Sequence, residues 1–338
     1  MRLITFRPGD SAELLDRFLD LPEPAYRPDR DVERQRFDYY GRRPDYRFEL
    51  VLVEDGRDVA RSLVGRCDAF PWAFFGSFDC DGALPFRVVT SAARESARRL
   101  GARELRGPIE LNGMHGWQFV VRADSPERWV GDPWHRPGHP GLFREAGWEI
   151  GDESTSGVLP AFLVEGYARE YPAVAAEFAR EGFELRRVAG LPVDDWLPSV
   201  WRLVREAFTP ESHRFVPVEY EVFRAELAPF LGRLTDPDSI LLARRGDEVV
   251  GFLVGHPNLS ASVPAATDFS ARTVAVAGDL RGGAVWKMLF MTFTEAARLR
   301  YGARAGWRRV NRLHPKLHRF VDSGRVTRAY ATFRTAIG

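Results

Sequence analysis

The sequence predicts the same order of secondary-structure elements twice along its 338 residues. Each half reads as a strand and a helical stretch, then a hairpin, then strand, helix, strand, helix and strand. Two turn pairs mark the hairpins, Asp55-Gly56 and Gly246-Asp247, because such pairs favour the tight turns between antiparallel strands. The amino acids themselves hardly repeat. The pattern therefore predicts an α/β (α+β) protein of two domains, 1–163 and 164–338, each a mixed central sheet flanked by helices.

Residues near the start of the chain predict a helix and the position where it ends. Ser11 is a typical N-cap for an amphipathic helix that runs to about Leu21. Pro22, Pro24 and Pro28 then end the helical pattern, and they predict a long loop.

Composition excludes several classes of protein. A hydrophobic fraction of 45% with 28% charged residues is typical of a chain that buries a core rather than a disordered one. No apolar run reaches the ~18 residues of a membrane span. The only cysteines, Cys67 and Cys80, do not form a CxxC pair. We therefore expect a cytoplasmic protein with reduced thiols and no membrane partner.

Positive charge is concentrated near the C-terminus. The segment from Ala296 to Arg328 has ten Lys and Arg residues and one acid, Asp322, which gives it a net charge of +9 against +1 for the whole chain. A basic surface of this kind attracts phosphates or an acidic partner. A solvated helix face would give the same pattern.

Several short stretches, together with the repeated element order, resemble the acetyltransferase fold of the GNAT (GCN5-related N-acetyltransferase) superfamily, present twice. The stretches resemble tandem GNAT-like proteins and are spread over most of the chain: Leu15–Pro22, Phe75–Cys80, Arg106–Ile109, Pro133–Gly147, Phe215–Pro217 and Val250–Phe252. The resemblance implies that a central strand and its neighbour diverge, and that a thioester cofactor lies in the gap. Acetyl-CoA or another acyl thioester is the cofactor that it implies.

The resemblance places the thioester in the second half. In the superfamily, a glycine-containing loop after the central strand opens a helix whose N–H groups hold the pyrophosphate. Arg281-Gly282-Gly283-Ala284-Val285 stands at that place, with Val274 and Val276 on the preceding strand beside the thioester. Trp286 replaces a small residue. The first half has Asp79 and Asp81 at its equivalent turn, and because these carboxylates would repel a pyrophosphate, we expect no cofactor there.

Two catalytic residues are implied by the same resemblance. Asn311 follows the next strand, where many members have an Asn, and His318 falls on the position of a Tyr near the cofactor sulfur. A histidine could protonate the leaving thiolate. The strand residues 272–277 contain no carboxylate, so the general base is unidentified. His135 and His139 lie between prolines without a nearby Cys, and we expect no metal site.

Three functions follow as hypotheses. The first is an N-acyltransferase that moves an acyl group, acetyl above all, from coenzyme A to a small-molecule amine bound between the domains. The second uses a carrier-protein or aminoacyl-tRNA donor, which the basic segment would bind. The third is an inactive binding module, which Trp286 and the replaced Tyr would favour.

Overall fold

A computed structural model describes residues 1–22, 29–124, 132–133, 135–257, 269–301, 305–311 and 323–338. Helices and strands alternate along the first half. They are β1 (Arg2–Phe6), α1 (Ala12–Asp20), α2 (Arg30–Gly41), β2 (Tyr46–Glu54), β3 (Asp58–Cys67), β4 (Ala73–Cys80), α3 (Ala83–Arg99), β5 (Glu104–Gly107), β6 (Phe119–Ala123), α4 (His139–Glu145) and β7 (Glu149–Val158).

The second half has a similar order of elements. They are α5 (Ala161–Arg180), β8 (Phe183–Arg187), α6 (Leu197–Ala207), α7 (Pro210–His213), α8 (Tyr220–Leu231), β9 (Ile240–Arg245), β10 (Glu248–Pro257), β11 (Phe269–Val276), α9 (Ala284–Tyr301), β12 (Ala305–Asn311) and β13 (Arg325–Ala336). The mixed α/β fold class predicted from the sequence is confirmed.

Local signals determine the ends of several elements. The Ser11 hydroxyl caps α1 by accepting from the backbone N–H of Leu14 at 3.2 Å. Gly56 and Gly246 turn the β2–β3 and β9–β10 hairpins with positive φ angles of 70° and 58°, which glycine adopts without steric cost. The loop predicted after Pro28 is wrong, because Asp29 caps α2 by accepting from the N–H groups of Asp31 and Val32.

In the described part of the chain, thirteen strands form one sheet, and the two halves exchange strands at its centre. The order is β1-β2-β3-β4-β5-β13-β7-β12-β11-β10-β9-β8, with β6 also on β13. The last strand therefore pairs with the first half, Phe333 opposite Gly107. In return, β7 pairs with β12, Val158 opposite Gly306. The predicted division at 163/164 falls inside α5 and stays a prediction.

The apolar core also crosses between the halves. One cluster of buried side chains combines Phe18, Phe37 and Tyr40 from α1 and α2 with Trp196 and Phe223 from the second half. Removing this shared apolar surface from water favours a fixed arrangement of the halves. The α6 and α8 helices thus lie against the first half and cover one side of the sheet opening described below.

Among the described helices, none combines the length and the apolar character that crossing a bilayer would require.

Candidate active site

The β11 and β12 strands pair briefly and then separate. They are parallel neighbours only at Phe269–Ala305, Ser270–Gly306 and Ala271–Trp307, although β11 continues to Val276 and β12 to Asn311. An extra residue in β11, Arg272, interrupts its register with β10. Such a bulge bends the strand and increases its twist. An opening of the kind that the family resemblance implies is therefore present in the second half.

The backbone of β11 presents donors to this opening. The N–H of Ala277 donates to the carbonyl of Val250 on β10 at 2.9 Å. Since alternate residues of a strand direct their N–H groups to the same neighbour, those of Val274 and Val276 point away from β10, toward the opening. Both residues line the cavity there, and their role in holding a cofactor stays a prediction.

A cavity of about 1430 Å³ lies in the opening. Its walls in the second half include Thr273 of β11, Trp286 and Phe290 of α9, and Trp307 and Val310 of β12. Trp286 stacks on Phe290 with ring centroids 5.0 Å apart. Trp286 therefore forms part of the cavity wall and does not block the opening.

The predicted phosphate loop lies at the mouth of the cavity. Arg281 and Gly282 line it, and so does Lys287, three residues into α9. Gly282 has a φ of 83°, which permits the turn before the helix. The first turn of α9 has no acidic residue. The positive end of the helix dipole and two cationic side chains therefore favour an anion at this point.

The remaining residues of the predicted loop have different environments. Gly283 is exposed, whereas the side chains of Ala284 and Val285 are buried. Val285 belongs to the core under the sheet. Only the backbone N–H groups of these two residues are thus available at the helix N-terminus. Lys287 was missed in the sequence, although it is one of only two lysines in the chain.

The predicted catalytic pair is not tested by the structure. Asn311 ends β12 opposite Ser154 of β7, and its side chain is not described. His318 lies outside the described residues. Both roles stay predictions.

Part of the basic segment is neutralised within the chain. Arg298 pairs with Glu295 at 2.6 Å, Arg300 with Asp238 at 2.8 Å, and Arg328 with Asp132 at 3.3 Å. These three charges are thus compensated locally, which weakens the expectation that a carrier protein or tRNA binds them. Residues 312–322 of the segment lie outside the described part of the chain.

The first half has a second opening, and a side chain of the protein occupies it. Here β4 and β5 pair at Ala73–Leu105 and Phe74–Arg106, and the N–H of Ile109 donates to the carbonyl of Phe75 at 2.7 Å just before Glu110. The Glu110 carboxylate lies in the gap and accepts from Ser77, from its N–H at 2.8 Å and its hydroxyl at 3.0 Å. Ser77 has a φ of 43°, a strained value for a residue with a side chain. The donors of this opening are therefore already used.

Counting along the chain from the first parallel pair of each half gives the corresponding residue in the second half. Glu110 is five residues after Leu105, and Val310 is five residues after Ala305, the first β12 partner of β11. Both Glu110 and Val310 line the same cavity. Valine cannot accept a hydrogen bond, so it leaves the second opening free where Glu110 fills the first. Sequence reasoning missed this difference, although aligning the strands of the two halves would have revealed it.

Comparison with known proteins gives structural similarity only. No protein-family model and no curated protein matches the sequence. A tandem GNAT protein from the clavulanic acid biosynthesis pathway, solved without AcCoA, aligns at a TM-score of 0.52 and 16% identity over 100% of this chain and 99% of its own. A GCN5-related N-acetyltransferase from Anabaena variabilis ATCC 29413 aligns at 0.54 and 9% identity, over 100% and 73%.

A third solved structure is similar to this chain to the same degree. It is a conserved protein from Enterococcus faecalis V583, described as a probable N-acyltransferase, with a TM-score of 0.51 and 12% identity over 99% of this chain and 72% of its own. TM-scores just above 0.5 over nearly the whole chain indicate a common fold, whereas identities this low leave activity to be argued from the site itself.

Proposed function

We propose that this chain, which has a tandem GNAT-like fold, is an acyltransferase that moves an acyl group from a coenzyme A thioester to an amine. The observation that carries the proposal is the separation of β11 and β12 after three residue pairs, around a cavity that reaches the N-terminus of α9. The second half would hold the thioester. The acyl group that we favour is acetyl, and the acceptor is a small-molecule amine.

Residues at both ends of the opening fit a thioester donor. At the mouth, Arg281, Lys287 and the α9 N-terminus would bind the pyrophosphate. Inside, the N–H groups of Val274 and Val276 would bind the pantetheine arm and the thioester carbonyl. When bound, the thioester supplies an activated acyl group. A backbone donor directed at the developing oxyanion contributes on the order of 10²–10³ in rate.

The reaction needs two proton transfers, one to the leaving thiolate and one from the acceptor ammonium group. His318 would protonate the leaving thiolate, and Asn311 would orient groups beside it. For the acceptor, the described residues 272–277 of β11 offer no carboxylate. The ammonium group of the acceptor would therefore lose its proton to water or to a group on another element lining the cavity.

Asymmetry between the halves supports a single thioester site. In the first half Glu110 uses the Ser77 donors, and Asp79 and Asp81 lie four and two residues before α3, where the second half has Leu280 and Gly282 before α9. Both aspartates pair with Arg136, at 2.8 Å each. An anionic pyrophosphate would have to compete with these carboxylates.

Calorimetric titration of the full chain with acetyl-CoA and with coenzyme A tests the proposal. We expect one saturable site per chain, for which free coenzyme A competes. Absence of binding by either compound overturns the proposal. A carrier-protein or aminoacyl-tRNA donor, or an inactive module, would then have to explain the fold.

A further inference from the structure

Four carboxylates line the cavity in the described part of the chain: Asp79, Glu110, Asp132 and Glu226. Three of them have an arginine partner. Arg136 lies 2.8 Å from Asp79, Arg328 lies 3.3 Å from Asp132, and Arg36 lies 2.6 Å from Glu226. Among the described residues, no cation lies within ion-pair distance of Glu110. Its carboxylate is therefore the one uncompensated acid that these walls present to the cavity.

The position of the Glu110 carboxylate is fixed by the fold. Both of its oxygens accept from the Ser77 N–H, at 3.0 and 2.8 Å, and the Ser77 hydroxyl donates a third bond at 3.0 Å. The backbone of Gly116 lies on its other side, where an added Cβ would lie 3.4 Å from Glu110 Cγ. A group held in this way is preorganised to bind a ligand with little loss of entropy.

Its electrostatic surroundings leave the carboxylate in need of a cation. Burial raises the pKa of the Glu110 carboxyl, and the neighbouring Glu33 raises it further. The hydrogen bonds from Ser77, and then the charge of Arg61, lower the pKa only in part. The Arg61 guanidinium lies 3.3 Å from Glu33 and makes its own ion pair there. A buried carboxylate without a counter-ion is costly, and an ammonium or guanidinium group of a ligand would remove that cost.

Glu110 is too far from the thioester opening to act on the acylated amine. Three interstrand steps separate β5 from β12 in the sheet, which is roughly 14 Å at ~4.8 Å a step. Apolar and aromatic side chains line the same cavity, among them Phe119, Trp196, Phe223 and Phe230. An acceptor that uses both regions is therefore elongated, with an apolar middle and a cationic group at each end.

Building on the proposed function, we propose that Glu110 binds a second cationic group of the acceptor amine, so that the substrate class is an extended diamine or an amine with a terminal guanidinium. The opening in the first half, closed to a thioester by Glu110, would then serve as the recognition site for the distal end of the acceptor. The second half would bind the donor, and the first half would select acceptors by their length and charge.

A matched pair of ligands tests this inference without the donor. Decylamine and 1-decanol have the same hydrocarbon chain and differ at one end, where the first has an ammonium group and the second a neutral hydroxyl. Titrated into the full chain without acetyl-CoA, the amine should bind about 10- to 100-fold more tightly, the range expected for one buried charge-assisted contact. The Glu110→Gln variant should lose this preference. Its amide oxygen can still accept from Ser77, so the opening keeps its hydrogen bonds.

Controls separate this inference from the proposed function. Glu221→Gln removes an exposed carboxylate of α8 and should keep the preference. Acetyl-CoA should bind Glu110→Gln as it binds the wild type, which also shows that the variant is folded. Equal affinities for the amine and the alcohol, binding of neither, or a preference that survives in Glu110→Gln overturns the role of Glu110. Absence of acetyl-CoA binding to the wild type overturns only the proposed function.

Discussion

Arg36 of α2 and Glu226 of α8 form a two-pronged ion pair between the two halves of the chain. The Arg36 Nη2 lies 2.6 Å from Glu226 Oε1, and its Nε lies 3.1 Å from Oε2. The Nδ1 of His115 lies 3.0 Å from Oε2. All three residues line the cavity. The pair thus fixes the wall where α8 and the first half meet.

Replacing Arg36 should destabilise the protein strongly. Arg36→Met leaves the mostly buried Glu226 carboxylate without its main counter-ion, and we expect a loss of about 3 kcal/mol in the free energy of unfolding. Urea unfolding measures it. Arg47→Met is the matched control, because Arg47 and Asp68 form a pair in which both side chains are more than half exposed. That variant should stay within about 0.5 kcal/mol of the wild type. Equal losses would show that the ion pair between the halves contributes no more to the free energy of unfolding than an exposed pair does.

The same pair should make the free energy of unfolding depend on pH in the acid range. Burial alone would raise the pKa of Glu226, but the contacts with His115 and Arg36 outweigh it and lower the pKa to about 2, from an ordinary value of 4.5. A lowered folded-state pKa gives stability that is present above the ordinary value and is lost as the pH falls toward about 2.

Unfolding free energies measured between about pH 6 and pH 3 should therefore fall less steeply for Glu226→Gln than for the wild type. Glu95→Gln, at a half-exposed helix position, should follow the wild-type curve. A Glu226→Gln curve parallel to that of the wild type would contradict the assignment.

Local sequence signals predicted several elements beside the opening in the second half, whereas they did not predict the order of the strands in the sheet. Turn pairs, the Ser11 cap and the glycines after β11 act within a few residues, and they predicted hairpins, α1 and the start of α9 correctly. The exchange of β7 and β13 is different. An alternating pattern identifies a strand and its buried face, but it does not specify which distant strand becomes its neighbour. Phe333 pairs with Gly107 across most of the chain length.

The role of Glu110 was hidden for a related reason. As a lone acid after a strand it reads as a surface residue, and only the pairing of β4 with β5 brings it to Ser77. The helix α2 was missed because three prolines precede it, while its cap, Asp29, follows the last of them. Local composition predicted a loop where a single capping side chain starts a helix.

Introducing a glutamate at position 310, which corresponds to Glu110 of the first half, should close the thioester site. In Val310→Glu, a carboxylate would enter the second opening and accept from the β11 backbone, as Glu110 does from Ser77 in the first. We expect at least a tenfold loss of acetyl-CoA affinity, since a ligand must displace this internal acceptor. Calorimetry measures it. Val310→Leu adds bulk without an acceptor and should retain more affinity, and Val32→Glu, on the outer face of α2, should bind normally. Unchanged affinity in Val310→Glu would place the thioester elsewhere.

Arg281 should act only on the phosphate end of the donor. It lies at the cavity mouth before α9, so Arg281→Ala removes a cation from the proposed pyrophosphate site and should weaken acetyl-CoA binding about tenfold at low salt. The difference should shrink as ionic strength rises, because a partly exposed ionic contact is screened. S-acetylpantetheine lacks the pyrophosphate and should bind the variant and the wild type equally. Arg233→Ala, at an exposed position outside the cavity, provides the control. If both donors lose affinity to the same extent, Arg281 shapes the opening as a whole, and the anion site at the start of α9 has to be abandoned.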